Sequence, residues 1–211
     1  MHKYISKFHY LTQDIPGRSH LEQVMNACEN GANWIQYRCF SKDEEQLLDD
    51  INRIAEVCDD WGTTLIVTDH VSLISKADIQ GIHIEDMNAD FRSIRKEIGP
   101  DKTLGASANT IEDIQRIADS KAVDYIGCGP LRITLTKPND YPLLGLNGYE
   151  LIIDEMEKRG ISIPILAVGG VTADDVEALL KSGVYGVAIS AAVNLSSDPS
   201  KAFKEIYKKL H

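Results

Sequence analysis

The chain has 211 residues, 43% of them hydrophobic, and a formal net charge of -10, which is long enough to bury one large core. That acidic balance repels nucleic acid and anionic membranes, and the chain has no run of about 18 apolar residues that could span a bilayer. The start MHKYISKFHY lacks the pattern of a signal peptide, so the expectation is a soluble cytoplasmic protein with neither nucleic-acid nor membrane partners.

In chain order, short β-like runs occur at FHYLT (8–12), WIQYR (34–38), TLIVT (64–68), GIHI (81–84), TLGAS (103–107), DYIGC (124–128), PILAV (164–168) and GVAIS (186–190). Amphipathic segments separate them. Ser19 with Glu22 and Ser41 with Glu44 read as capping boxes, and Thr110 with Asp113 and Thr172 with Asp175 as shorter acidic versions. Behind Ser41, the residues Leu47, Leu48, Ile51, Ile54, Ala55 and Cys58 repeat at helical spacing and give one stripe that must pack on a sheet. Gly183 is placed to close the helix entered near Thr172. Repeated strand–helix–strand units imply a parallel sheet, and eight strands with little spare length suggest a single-domain (β/α)8 barrel, a TIM barrel, over 1–211. An open doubly wound sheet is the competing architecture, but no glycine-rich dinucleotide loop follows the first strand.

Cys28, Cys39, Cys58 and Cys128 show no CxxC pairing and no histidine at metal-ligand spacing, so buried reduced thiols are expected. His83 sits inside an apolar run and reads as a satisfied core residue; His9 and His20 carry no signal.

In a barrel of this kind catalysis belongs at the C-terminal ends of the strands. Gln36 and Arg38 end the second run, and a period of two puts both on one face. Asp69 ends the third, Ser107 the fifth, and Ser190 the eighth; Thr134, Thr136 and Lys137 follow the sixth, and Gly169 and Gly170 follow the seventh. Singly, each has a structural explanation: a rim salt bridge for Arg38, a helix cap for Asp69, a tight turn for the glycine pair. Jointly, they provide backbone N–H groups for one phosphate after strands seven and eight, and hydroxyls and cations for a second phosphorylated group. Asp69 offers an oxygen ligand for Mg2+, which commonly bridges substrate phosphates. Two anions, one metal and no obvious nucleophile point to group transfer from a diphosphate.

The ordered motifs YLTQD, IQYR, IVTDH, GIHI, GASANT, DYIGCGPLRITLTK and ILAVGGVTADDVEALLKSGVYGVAIS resemble the thiamine-phosphate synthase family, which also contains thiazole tautomerases. That resemblance implies joining of hydroxymethylpyrimidine diphosphate to a thiazole phosphate, with Mg2+, to give thiamine phosphate and pyrophosphate. It implies that Gln36 and Arg38 contact the pyrimidine diphosphate, and that Ser107 and Lys137 hold the departing pyrophosphate. It further implies that Thr134, Thr136, Gly169, Gly170 and Ser190 would position the thiazole phosphate. Asp69 is the implied metal ligand, and Asn88 stands where the family has a second metal-binding Asp, with Glu85 or Asp86 able to replace it. Phe40 occupies a position where the family carries Lys, and Thr68 one where it carries Asn. The tautomerase reading needs an acid or base where this chain has Asn109. A third reading is a non-catalytic binder of thiazole phosphate. A homodimer is compatible with all three.

Overall fold

The computed structural model describes residues 3–133 and 141–210. Each β-like run forms a strand: β1 (Phe8–Leu11), β2 (Trp34–Tyr37), β3 (Thr64–Thr68), β4 (Gly81–Ile84), β5 (Thr103–Ala108), β6 (Tyr125–Cys128), β7 (Ile165–Ala167) and β8 (Gly186–Ile189). Each pairs in parallel with the next, and β8 pairs back to β1 with Phe8 opposite Val187 and Tyr10 opposite Ile189, closing the barrel expected from the sequence. Alternation then sorts side chains into two layers. In β2, Ile35 and Tyr37 join the large cluster between barrel and helices, while Trp34 packs inside the barrel with Ile66, Tyr125 and Leu166.

The surrounding helices are α1 (His20–Glu29), α2 (Glu44–Asp60), α3 (Phe91–Ile98), α4 (Ile111–Ser120), α5 (Gly145–Lys158), α6 (Val176–Lys181), α7 (Ala191–Asn194) and α8 (Pro199–Leu210). Ser19 and Glu22 form the expected capping box of α1, as do Thr110 and Asp113 for α4 and Thr172 and Asp175 ahead of α6. Gly183, at φ +95°, follows the end of α6 as expected.

Two local expectations are corrected. The cap of α2 is Asp43 with Gln46 rather than Ser41 with Glu44, because the Ser41 hydroxyl is already committed to Asp14 Oδ1 at 2.6 Å. Between β3 and β4 there is a 3-10 turn, Val71–Ser75, instead of an α-helix. Its cap residue is His70, without a side-chain bond, so Asp69 is not a helix cap and its carboxylate is used elsewhere. Among the described residues no helix is long and apolar enough to cross a membrane, and all four cysteines are buried and free.

The N-terminal rim of the barrel is fastened by Asp124, just before β6. Its Oδ2 accepts from Lys3 Nζ at 2.9 Å, Arg95 Nη2 at 2.6 Å and the Leu104 N–H at 2.8 Å. Removing it leaves two partly buried cations and a backbone donor without their acceptor. Asp124→Ala should therefore cost about 2 kcal/mol, below the loss for a fully buried pair because Asp124 retains some solvent contact. A lower urea midpoint with unchanged slope is the expected signature, and an unchanged midpoint would assign this rim no stabilising role.

Candidate active site

At the opposite rim, the strand ends surround a cavity of about 640 Å3, a size suited to a small-molecule ligand. Gln36, Arg38, Glu85, Ser107, Asn109, Gly169, Gly170 and Ser190 all line it. The period-2 spacing in β2 does bring Gln36 and Arg38 to the same face, as expected. Gln36 is buried and donates from Nε2 to Thr68 Oγ1 at 2.9 Å, which fixes its amide. Arg38, only 9% exposed, donates from Nε to Glu85 Oε1 at 2.7 Å and lies over the Phe40 ring at 4.4 Å. Phe40 therefore supplies an aromatic face that helps hold the guanidinium. Among the described residues Arg38 is the only Lys or Arg lining the cavity, and Glu85 the only carboxylate.

Asp69 follows β3 with φ 56°, an unusual backbone for a non-glycine residue. Its Oδ1 accepts the Glu85 N–H at 2.9 Å, linking the ends of β3 and β4. Both side chains provide hard oxygen donors, the type Mg2+ takes when it also binds substrate phosphates. Asp69 and Glu85 thus fit the expected metal in the chemistry of their donors, although only Glu85 lines the cavity and Asp69 does not. Asn88 is exposed, donates its backbone N–H to Asp86 Oδ1 at 2.9 Å, and lies outside the cavity lining.

Ser107 Oγ is hydrogen-bonded to His83 Nε2 at 3.1 Å, and His83 Nδ1 to Tyr125 Oη at 3.1 Å. His83 is therefore the satisfied residue expected, yet it also forms part of the cavity floor. Gly105 makes room for this chain, because a Cβ there would lie 2.3 Å from Tyr125 Cζ. His9 completes the floor, stacked on Trp34 with centroids 4.4 Å apart. Burial, with the nearby His83 adding to it, pushes the His9 imidazole well below its ordinary value, so this floor residue is neutral. Among the lining residues that the sequence did not single out, His9 and Tyr125 supply the aromatic floor; an inward period-2 position in β1 and β6 is the signal that could have found them.

On the far wall, Gly169 and Gly170 both have positive φ, at 83° and 75°. A Cβ on Gly169 would come within 2.5 Å of Pro130 Cβ, and one on Gly170 within 2.5 Å of Arg132 Cγ. The pair thus serves the turn and also lets the loops after β6 and β7 pack closely. Arg132 secures that contact, donating from Nη1 to the Gly170 carbonyl at 3.0 Å and pairing with both Asp175 oxygens. Ser190 donates from Oγ to Gln13 Oε1 at 2.8 Å and accepts from Asn194 Nδ2 at 3.1 Å. Asn109 donates its amide to the Gly129 carbonyl. Thr134, Thr136 and Lys137 lie outside the described residues.

A closed parallel barrel with a cavity, hydrogen-bond donors and a cation gathered at its C-terminal rim has the layout of a barrel enzyme that acts on small molecules. The thiamine monophosphate synthase family model matches residues 10–193, and the chain belongs to that family. It is 36% identical to the thiamine-phosphate synthase of Flavobacterium psychrophilum, covering 97% of this chain and 99% of the relative. Identity to the thiamine-phosphate synthase of Bacteroides fragilis is 34%, covering 93% and 96% respectively. The fold is similar to that of the thiamine phosphate pyrophosphorylase from Pyrococcus furiosus, with a TM-score of 0.83, 26% identity, and coverage of 97% and 95%.

Burial pushes the Asp175 carboxyl up, but the bonds from Arg132 and Thr172 outweigh it and leave it below its ordinary value. The stability this contributes is fully present above the unfolded value of about 3.9 and is lost as pH falls through the lower folded value. Asp175→Asn should be less stable than the parent at neutral pH and lose less stability on acidification below about pH 4. Denaturant midpoints measured across that range check this, and parallel curves for the two proteins would contradict it.

Proposed function

We propose that the cavity joins hydroxymethylpyrimidine diphosphate to a thiazole phosphate, giving thiamine phosphate and pyrophosphate. The chain is a transferase of the family named above, and on this reading it works in the cytoplasm on two small-molecule substrates. The observation that carries the proposal is the meeting of Gln36, Arg38, Glu85, Ser107 and the Gly169–Gly170 turn around one cavity of about 640 Å3. This arrangement has a polar, cationic side and a side built from backbone N–H groups and small residues. It suits two phosphorylated molecules held edge to edge.

The chemistry requires a bond between the pyrimidine methylene and a diphosphate oxygen to break, with the electron pair leaving on the diphosphate. The aminopyrimidine ring donates electrons toward the methylene as that bond lengthens. The thiazole nitrogen then supplies the pair for the new C–N bond, so no catalytic Ser, Cys or His nucleophile is needed. Arg38 and Lys137 would stabilise the growing charge on the leaving group, with Ser107 donating a hydrogen bond to it. Gln36, its amide fixed by Thr68, would hold the pyrimidine diphosphate. Thr134 and Thr136, with the backbone at Gly169, Gly170 and Ser190, would hold the thiazole phosphate. Orientation of the two rings would supply much of the remaining acceleration.

Mg2+ bound to the diphosphate would neutralise charge on the leaving oxygens, and Asp69 and Glu85 would be its protein ligands. Glu85 also orients Arg38, so it would keep the guanidinium and the diphosphate in register. The tautomerase reading is less well supported, because the Asn109 amide, already donating to the Gly129 carbonyl, offers neither acid nor base at neutral pH.

Arg38→Ala and Lys137→Ala should each lower kcat by at least about tenfold if their cations act on the leaving group. Steady-state rates of thiamine phosphate formation check this. Unchanged kcat in either variant would remove that residue from the mechanism. A change confined to KM would make it a binding group only.

A further inference from the structure

Asp14, His20 and Cys39 meet where the loop after β1 faces the loop after β2, and none of the three lines the cavity. Their donor atoms all lie within 4.8 Å of one another. Asp14 Oδ1 is 3.2 Å from His20 Nε2 and 3.2 Å from Cys39 Sγ. A tetrahedral ion with bonds of about 2.0–2.3 Å needs neighbouring donors roughly 3.2–3.6 Å apart. We propose that Asp14, His20 and Cys39 form a separate binding site for a zinc-like transition-metal dication.

The surroundings match what such a site requires. His20 and Cys39 are buried, at 4% and 5% exposure, while the Asp14 side chain is 34% exposed and leaves a path for entry. The other imidazole nitrogen, His20 Nδ1, is 2.7 Å from Thr12 Oγ1, an outer-shell contact that sets the ring's orientation. Once bound as a thiolate, Cys39 together with the Asp14 carboxylate would set two negative charges against a dication. Binding releases the thiol proton and uses the Nε2 lone pair of neutral His20, with the Nδ1–H directed to Thr12. One thiolate, one imidazole and one carboxylate select zinc-like ions over Mg2+, which prefers an all-oxygen shell.

The site adjoins the cavity through one residue. Thr12 Oγ1, which orients His20, also accepts the Arg38 N–H at 3.1 Å. Asp14 Oδ2 accepts the Phe40 N–H at 2.9 Å, so the ligands flank the segment that carries Arg38. A bound metal would stiffen that segment without entering the cavity.

Titration of the untagged full chain with Co2+ reads the site directly, because a cobalt–thiolate bond gives a charge-transfer absorption that carboxylate and imidazole ligands alone do not. The expected result is one equivalent bound with that absorption, displaced by Zn2+ and unaffected by excess Mg2+. Cys39→Ala should abolish the absorption, and Asp14→Asn should weaken Co2+ binding at least about tenfold. Circular dichroism of the metal-free variants checks their folding, and Asp14→Asn, a change at an exposed position, serves if Cys39→Ala does not fold. Absence of the absorption in the parent protein overturns the proposal. So does its persistence in Cys39→Ala, which would assign the thiolate to another cysteine, or unweakened binding in Asp14→Asn.

Discussion

The hydrogen-bonded seam between β1 and β8 leaves the sheet without a free edge and obliges every strand to tilt around a common axis. All eight strands are parallel, so closure also brings every C-terminal strand end to one rim. Residues from distant parts of the chain consequently meet there: Gln36 and Arg38 from β2 and its end, Glu85 after β4, Ser107 from β5, and the Gly169–Gly170 turn after β7. The opposite rim carries the fastening by Asp124, Lys3 and Arg95. Stability and chemistry are thus divided between the two ends of one barrel.

Electrostatics at the functional rim follow from the same geometry. Arg38 is nearly buried and would be costly there alone; Glu85 neutralises it and Phe40 covers it. Asp69 accepts the backbone N–H of Glu85, so the acidic pair and the guanidinium form one connected unit across β2, β3 and β4. The floor beneath is aromatic, built from His9, His83 and Tyr125 over Trp34. A charged rim above an aromatic floor matches a substrate with a flat heterocycle at one end and phosphate at the other.

Much of this was legible in the sequence because two-residue alternation and capping chemistry are local. All eight strands fall within about a residue of their runs, and the boxes at Ser19, Thr110 and Thr172 are where their side chains predict. Ser41 misled because its hydroxyl has a better partner in Asp14, a residue 27 positions away. The β3–β4 connection misled because a barrel can bridge two strands with a single 3-10 turn. His9 and Tyr125 were invisible as site residues, since an inward-facing barrel position reads the same whether it meets packed neighbours or a cavity. Asp14, His20 and Cys39 have no motif spacing at all; the neighbouring β1 and β2 ends bring them together. The resemblance in the DYIGCGPLRITLTK and ILAVGG stretches carried the family assignment, which the relatives at 34% and 36% identity bear out.

The most direct test of the central claim is formation of thiamine phosphate by the purified protein from hydroxymethylpyrimidine diphosphate, thiazole phosphate and Mg2+, with pyrophosphate measured in the same reaction. The account predicts equal amounts of both products, and loss of both when a chelator removes the metal. Binding of both substrates with no product would contradict it, and so would full turnover in the presence of the chelator.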